Sequence, residues 1–503
     1  MRVSRFKEAR QEYEKAVELA PTDPDTRLAL GAYFLRMAQY DLAIEQAKKI
    51  LETNQDHPKA LDLLSRCYLA DRKLDEAKEV LQRLASVKTA PGEGPGTRPL
   101  LRLAELAMLE GKLDKAIELY DKAIEKDPES VPARLGLGHA RRRQGRIADA
   151  IEQFKTVLSV DSTNSGALLA LASIYRRTGR LDLALDTCER AKKISPSAPQ
   201  VRFEMGAIQI ARKQYDKAIA EYQDVVKTNP NDLRARVAIA EARFASGDHT
   251  AAIAALSDLL GQQATAVPAV RASLVSFYKR LGEIDKAQDQ LETLVKATPH
   301  LLGAYDLAVI YIHKDRLPDA IRLIDAAIAK QDAPGLHLAR GTALQLQGKL
   351  PEAIAAFETA RKASPDNPRM ASLLANAHLA AGRPDQATAA IKSVTVQPEL
   401  LDAYLALIGK LKATAGAPGE QALLAANALN QAALYADANW LTLARERYET
   451  LLKALPNNLA VLHLLADVYE RMADPDKAIA TYQRMLEAQP GYAPALRHLA
   501  RHH

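Results

Sequence analysis

Apolar residues along this chain recur at intervals of three and four, in stretches of about 14 residues separated by short polar turns. That is the period of α-helices buried along one stripe. The stretches come in pairs. In the second member of each pair one alanine holds a fixed place, at Ala9, Ala43, Ala77, Ala116, Ala150, Ala184, Ala218, Ala252, Ala287, Ala320, Ala353, Ala387, Ala444 and Ala478. Most steps between these alanines are 34 residues or within one of it, and two are longer, at 39 and 57. Twelve residues before each alanine but the first stands a second column: Gly31, Ser65, Ala104, Gly138, Ala172, Gly206, Ala240, Val275, Ala308, Gly341, Ala375, Ala432 and Ala466. Only Val275 is not small. A large ring often follows three residues later, as at Phe34, Tyr68, Tyr175 and Tyr469, then a turn that often contains Gly, as at Gly145 and Gly179. Pro closes many units, including Pro21, Pro58, Pro196 and Pro490.

The pattern predicts helical hairpins whose two helices approach closely along the small columns. A single hairpin cannot bury both of its faces, so the hairpins must stack and share one continuous core. The spacing divides the chain into an incomplete leading repeat at 1–20, with a second helix only, and an array of about 11 hairpins at 21–396. An irregular unpaired helix with a Gly/Pro loop follows at 397–420, then further hairpins and a terminal helix at 421–503. Within the array, residues 86–99 form a Pro/Gly-dense insertion that reads as a surface loop. The helix around Gly409 has no second helix of its own, which predicts a change of stacking direction near Trp440.

A 34-residue hairpin of this kind resembles the tetratricopeptide repeat (TPR) family. The match is explicit in Leu137-Gly138, Gly145, Ala150 and Phe154, and in Ala172, Tyr175, Gly179, Ala184, Ala191 and Pro196. The resemblance covers essentially the whole chain and implies an all-α, right-handed superhelical solenoid of about 13 hairpins plus unpaired terminal helices. It also implies a non-enzymatic scaffold that holds protein or peptide partners on an inner, concave face. Long arrays of this type are similar to bacterial envelope scaffolds for polysaccharide or protein export; the Ala/Arg-rich composition fits a bacterial source. The alternative function is a recruiting arm of a larger enzyme such as a glycosyltransferase. A more remote one is an RNA-binding helical repeat, against which the paired small columns and the closing Pro both speak.

Composition narrows the picture only slightly. Aromatic residues make up 5% of the 503 and include 1 Trp, which disfavours a large β-sandwich or barrel. Cys67 and Cys188 form no metal or redox spacing and read as small core residues. The first residues carry charge and no apolar leader segment, and the chain opens in the middle of a repeat. Localisation therefore reads as cytoplasmic for the sequence as it stands, and as periplasmic or envelope-associated if a signal peptide precedes it.

Candidate chemistry is sparse. Gly136-Leu137-Gly138 lies inside a helical stretch without phosphate-loop context, and Ser276 and Lys279 match S-x-x-K without its companion motifs. His498 and His502 stand four apart on the last helix, a spacing that also arises by chance. No catalytic residue, metal site or cofactor is expected.

Charge becomes informative once it is located. The net formal charge is +6, from 68 basic and 62 acidic residues, and residues 131–196 alone hold 12 basic and 6 acidic. In the resembled family, positions one, four and five after the small column face the inner side. Those offsets select His139, Arg142, Arg143, Arg176 and Arg177, then Lys279 and Arg280, then Ile312 and His313, with Tyr305, one turn before Ala308, grouped with them on the partner-facing side. The four arginines of the first group would form a cradle for a partner with an acidic segment, since guanidinium forks pair carboxylates in two-pronged fashion. The later positions would add a mixed, partly apolar surface. No membrane insertion is expected, and the modest net charge disfavours nucleic acid.

Overall fold

A computed structural model describes residues 2–87, 96–262, 267–297, 301–363, 365–394, 398–413 and 420–502. Among these residues there are 29 helices and no strand. The chain divides into two compact units, Met1–Ala235 and Arg236–His503. Partition by repeat spacing did not mark this boundary. Residues 88–95 of the expected insertion and 414–419 of the expected Gly/Pro loop lie outside the described residues.

The first unit begins with the unpaired helix α1 (Arg2–Leu19). Six hairpins follow: α2 (Pro24–Arg36) with α3 (Tyr40–Thr53), α4 (Pro58–Ala70) with α5 (Leu74–Ser86), and α6 (Arg98–Leu109) with α7 (Leu113–Lys126). Next come α8 (Val131–Arg143) with α9 (Ile147–Val160), α10 (Ser165–Arg177) with α11 (Leu181–Ile194), and α12 (Pro199–Ala211) with α13 (Tyr215–Thr228). Within these six, the second helix of each of the first five hairpins packs on the first helix of the next. The boundary between units falls within α14 (Leu233–Ser246).

The two sequence columns are the seam of every hairpin. All thirteen alanines from Ala43 to Ala478 have no exposed surface. Opposite them the first-helix column is small because rings press on it. A Cβ on Gly138 would lie 2.7 Å from Cε1 of Phe154, and the same relation joins Gly206 to Tyr222 and Gly341 to Phe357. Such separations are far below van der Waals contact, so these glycines are set by packing.

A second recurring device ties the helices of a hairpin together. An arginine four residues before the small column donates to a Gln or Glu three residues after the alanine: Arg27 to Gln46, Arg134 to Gln153, Arg202 to Glu221 and Arg271 to Gln290, at 2.5–3.3 Å. Part of the basic excess is thus spent on the fold itself.

Helix starts follow ordinary capping chemistry. Asp23, Asn164 and Asn458 accept from backbone N–H groups in the first turns of their helices, as Ncap residues do. Pro58, expected to close a unit, instead opens α4, where its missing N–H costs nothing. Cys67 and Cys188 are buried, and burial pushes their thiols up to about 11 and about 12.

The second unit continues with α15 (His249–Gln262), α16 (Val267–Leu281), α17 (Ile284–Ala297), α18 (Leu301–His313), α19 (Leu317–Ile328), α20 (Pro334–Leu346), α21 (Leu350–Lys362), α22 (Pro368–Ala380) and α23 (Pro384–Lys392). After these come the unpaired α24 (Pro398–Ala413), the hairpin α25 (Glu420–Asp437) with α26 (Leu441–Ala454), the hairpin α27 (Leu459–Arg471) with α28 (Pro475–Ala488), and α29 (Ala493–His502). Helix α24 packs on α23, α27 and α29, and a Cβ on its Gly409 would meet nothing within 4 Å, so no second helix presses on that column. Helix α25 leaves the repeat stacking and lies across first helices α20 and α22.

Candidate functional site

In the second unit the first-helix face is covered by the chain itself. Gln345 on α20 donates through Nε2 to Asn427 Oδ1 of α25 at 2.8 Å and accepts from Asn430 Nδ2 at 2.8 Å. Asn376 on α22 donates to Asn430 Oδ1 at 2.9 Å, and Asn430 also donates to the Leu373 carbonyl at 3.1 Å. Asn430 and Gln345 are buried with 0% and 1% exposure. Toward the end of α25, Tyr305 donates to Asp437 at 2.9 Å and Arg369 pairs with the same carboxylate at 3.3 Å. Lys279 donates to Asp306 at 2.6 Å and to the Ala438 carbonyl at 2.7 Å. Trp440, fully buried, donates its Nε1–H to Asp306 at 3.1 Å. Burial pushes the Asp306 carboxyl above its usual range, against the pull of Lys279 and Trp440.

The partner-facing positions expected in this unit are therefore engaged internally. Lys279 and Tyr305 bond the segment from Asp437 to Ala438, Ile312 is buried at 1%, and His313 meets the Tyr435 ring edge-on at 5.8 Å. Arg280 is the exception: its guanidinium rests on the Phe244 ring, 4.4 Å from the centroid.

Among the described residues, the first unit carries no such helix across its first-helix face. There one carboxylate, Asp62 on α4, is surrounded by three guanidinium groups. Arg102 lies 3.2 Å away, Arg66 3.8 Å and Arg98 4.0 Å. Arg102 also donates to Ser65 Oγ at 3.2 Å. Burial, aided by the like charges of Arg66 and Arg98, lowers the Arg102 guanidinium below its usual range. Arg66 and Arg98 have side chains 48% and 68% exposed, so their positive charges face solvent, while Glu105 of α6 joins Asp62 in acting on Arg102.

Sequence models of the tetratricopeptide repeat match residues 107–152, 135–199, 209–273, 278–335, 344–411 and 459–502, together more than half of the chain. The chain belongs to the tetratricopeptide repeat family. A model of subunit 3 of the anaphase-promoting complex (cyclosome) matches residues 4–84. Among curated proteins, a CTR9 homolog of Arabidopsis thaliana is 26% identical over 133 residues, 26% of this chain and 12% of that protein. The BBSome complex member BBS4 of Bos taurus is 25% identical over 126 residues, 25% of this chain and 23% of that protein. Similar solved structures include a MamA protein (25% identity, 33% of this chain and 91% of that one, TM-score 0.29). They also include YrrB, described as a TPR protein with an unusual peptide-binding site (18%, 38% and 95%, TM-score 0.31), and a chain of the Cut9–Hcn1 hetero-tetramer (14%, 99% and 93%, TM-score 0.43). TPR arrays are generally protein–protein interaction scaffolds that bind protein or peptide partners.

The TPR offsets place the remaining expected residues on α8 and α10, with varied fates. Arg176 pairs with Glu204 of α12 at 2.7 Å, and Arg143 donates to the Met108 carbonyl at the end of α6 at 2.7 Å, beside the Gly111 N–H that the same carbonyl accepts. His139 packs edge-on against Phe154 at 5.1 Å, and burial holds its imidazole below the usual range. Arg142 is half-buried and its Nε has no hydrogen-bond partner among the described residues; Arg177 is exposed. The proposed quartet thus leaves two uncommitted arginines. The trio around Asp62 escaped the sequence reading, although Arg66 stands one residue after Ser65 and meets the same offset. Arg98 and Arg102 lie six and two residues before Ala104, positions the offset did not include.

Among the described residues no group of three or more His, Cys, Asp or Glu could hold a metal ion, and no helix is long and apolar enough to cross a membrane. His498 contacts Glu470 at 3.0 Å and stacks on Tyr482, which gives it a packing role.

Proposed function

We propose that this chain is a scaffold whose first unit holds an extended protein segment rich in acidic side chains along its first-helix face. The observation that carries the reading is the cluster of Arg66, Arg98 and Arg102 around Asp62, three guanidinium groups against two carboxylates once the nearby Glu105 is counted. Arg142 and Arg177 extend the positive face along α8 and α10. Carboxylates of a partner would enter the forks of Arg66 and Arg98, which already stand at the surface and lose little hydration on pairing. The first-helix face of the second unit supports the assignment from the other side, because α25 already covers it.

The test is the binding of a fluorescent Asp/Glu-rich decapeptide to the whole chain, followed by anisotropy at low and high salt. Binding should weaken as salt rises, since exposed charges are screened. The doubly substituted Arg66→Glu/Arg98→Glu chain should bind at least tenfold more weakly, while a neutral peptide of the same length should not bind. Both side chains are largely exposed, so the substitutions leave the core intact. Equal affinity of parent and double variant at low salt would overturn the reading.

A further inference from the structure

The second unit contains a cleft of about 370 Å³ that neither the repeat architecture nor the peptide face explains. It opens where the inner ends of α14 and α16 meet the first turn of α26 and the end of α27. No carboxylate lines it, whereas Arg280 and Arg471 do. Arg471 is partly committed, donating to the Ala436 carbonyl at 2.6 Å with Asp467 at 3.7 Å. Arg280 is different. Its guanidinium is held from one side by the Phe244 ring at 4.4 Å, and Phe244 is itself stacked on Phe277 at 4.1 Å and meets the tilted His249 ring at 4.4 Å. The stack fixes the cation by ring contact and leaves its N–H donors without a partner among the described residues. Opposite it, the hydroxyl of Thr442 is buried and also lacks a hydrogen-bond partner. A buried hydroxyl without a partner is rare in folded proteins, and with the exposed Arg280 guanidinium lining the same cleft it points to a ligand with acceptor oxygens.

We propose that this cleft binds a small phosphate monoester. A dianionic phosphate matches the positive lining, and its tetrahedral oxygens can accept from Arg280, from Arg471 and from the Thr442 hydroxyl at once. The first turn of α26, whose Ncap Trp440 supplies no side-chain acceptor, adds backbone donors and a favourable helix end. The volume exceeds what phosphate alone fills and lies in the range of small-molecule pockets. Leu281, Leu441 and Met472 form the apolar remainder of the wall, against which the organic body would rest.

The experiment is calorimetric titration of the full chain with phenyl phosphate, inorganic phosphate and phenol. Phenyl phosphate should bind saturably, inorganic phosphate at least several-fold more weakly, and phenol not measurably. Arg280→Gln should weaken phenyl phosphate at least tenfold and Thr442→Val several-fold, with thermal melts unchanged. Thr442→Ser, which keeps the hydroxyl, should restore binding. Absence of saturable phenyl phosphate binding by the parent, or parental affinity in Arg280→Gln, would overturn the site. Equal affinity for phenyl and inorganic phosphate would overturn the role given to the apolar wall.

Discussion

Asn430 of α25 and Gln345 of α20, 85 residues apart in sequence, share a 2.8 Å hydrogen bond in a region closed to solvent. The same Gln345 reaches Asn427 one turn earlier, and Asn430 takes a further bond from Asn376. This ladder does for the second unit what a bound peptide helix would do: it satisfies the polar side chains of the first-helix face and excludes water from it.

Replacing Asn430 with Leu should leave Gln345 Oε1, Asn376 Nδ2 and the Leu373 carbonyl short of a partner. Each buried polar group so orphaned costs about 1–3 kcal/mol, so a total loss of at least about 3 kcal/mol is expected. Urea unfolding of the full chain would read it. Coupling to Gln345 should appear as non-additivity in a double-mutant cycle with Gln345→Leu, and strict additivity would show that the contact is incidental.

The hairpin seam makes a second prediction. Gly138→Leu should destabilise the first unit by about 1–3 kcal/mol through overpacking, because even a Cβ would stand 2.7 Å from the Phe154 ring. Combining it with Phe154→Ala should recover part of the loss, since the ring is what the new side chain strikes. A melt unchanged by Gly138→Leu would mean that the seam yields.

Acid should destabilise the protein before its carboxylates protonate. His139, His313, His378 and His463 are each held below the ordinary imidazole range, chiefly by burial. In the unfolded chain they would take up protons near pH 6.5. The unfolded state therefore binds more protons just below that pH, and stability falls as pH drops through it. Glu118, held down to about 2 by Lys122 and Lys115, loses its pairing only at much lower pH. Asp306 acts in the opposite sense, since burial raises its pKa and its neutral form is the one the fold favours. The melting temperature should drop between pH 7.5 and 5.5, and His313→Gln/His463→Gln should flatten that drop. An identical slope in parent and variant would place the sensitivity elsewhere.

The hairpins were legible because each repeat writes the same two close approaches into the sequence: Ala150 and Gly138 can be small for one reason only, and that reason recurs thirteen times. The same cause underlies the expectation of an unpaired helix around Gly409, a small column without its alanine partner. The destination of α25 was not. Asn427 and Asn430 sit in a long apolar stretch where their spacing fits either a solvent stripe or a buried polar ladder, and only the facing Gln345 and Asn376 decide between them. The inner-face offsets did select Lys279 and His313, but offsets say which way a residue faces and nothing of what it meets. Likewise Asp62 and its three arginines belong to two hairpins, and Arg98 falls inside the 86–99 stretch expected as a surface loop, whereas the structure begins α6 at Arg98, so the cluster exists only in three dimensions.

The central claim is that the first unit, and not the second, presents the open binding face. Its most direct measurement is photo-crosslinking of the whole chain with a benzophenone-bearing Asp/Glu-rich decapeptide, mapped by mass spectrometry. The account predicts crosslinks on α4, α6, α8 and α10, centred near Arg66 and Arg98 and lost at high salt. Crosslinks concentrated on α16, α18, α20 and α22, with α25 displaced, would contradict it.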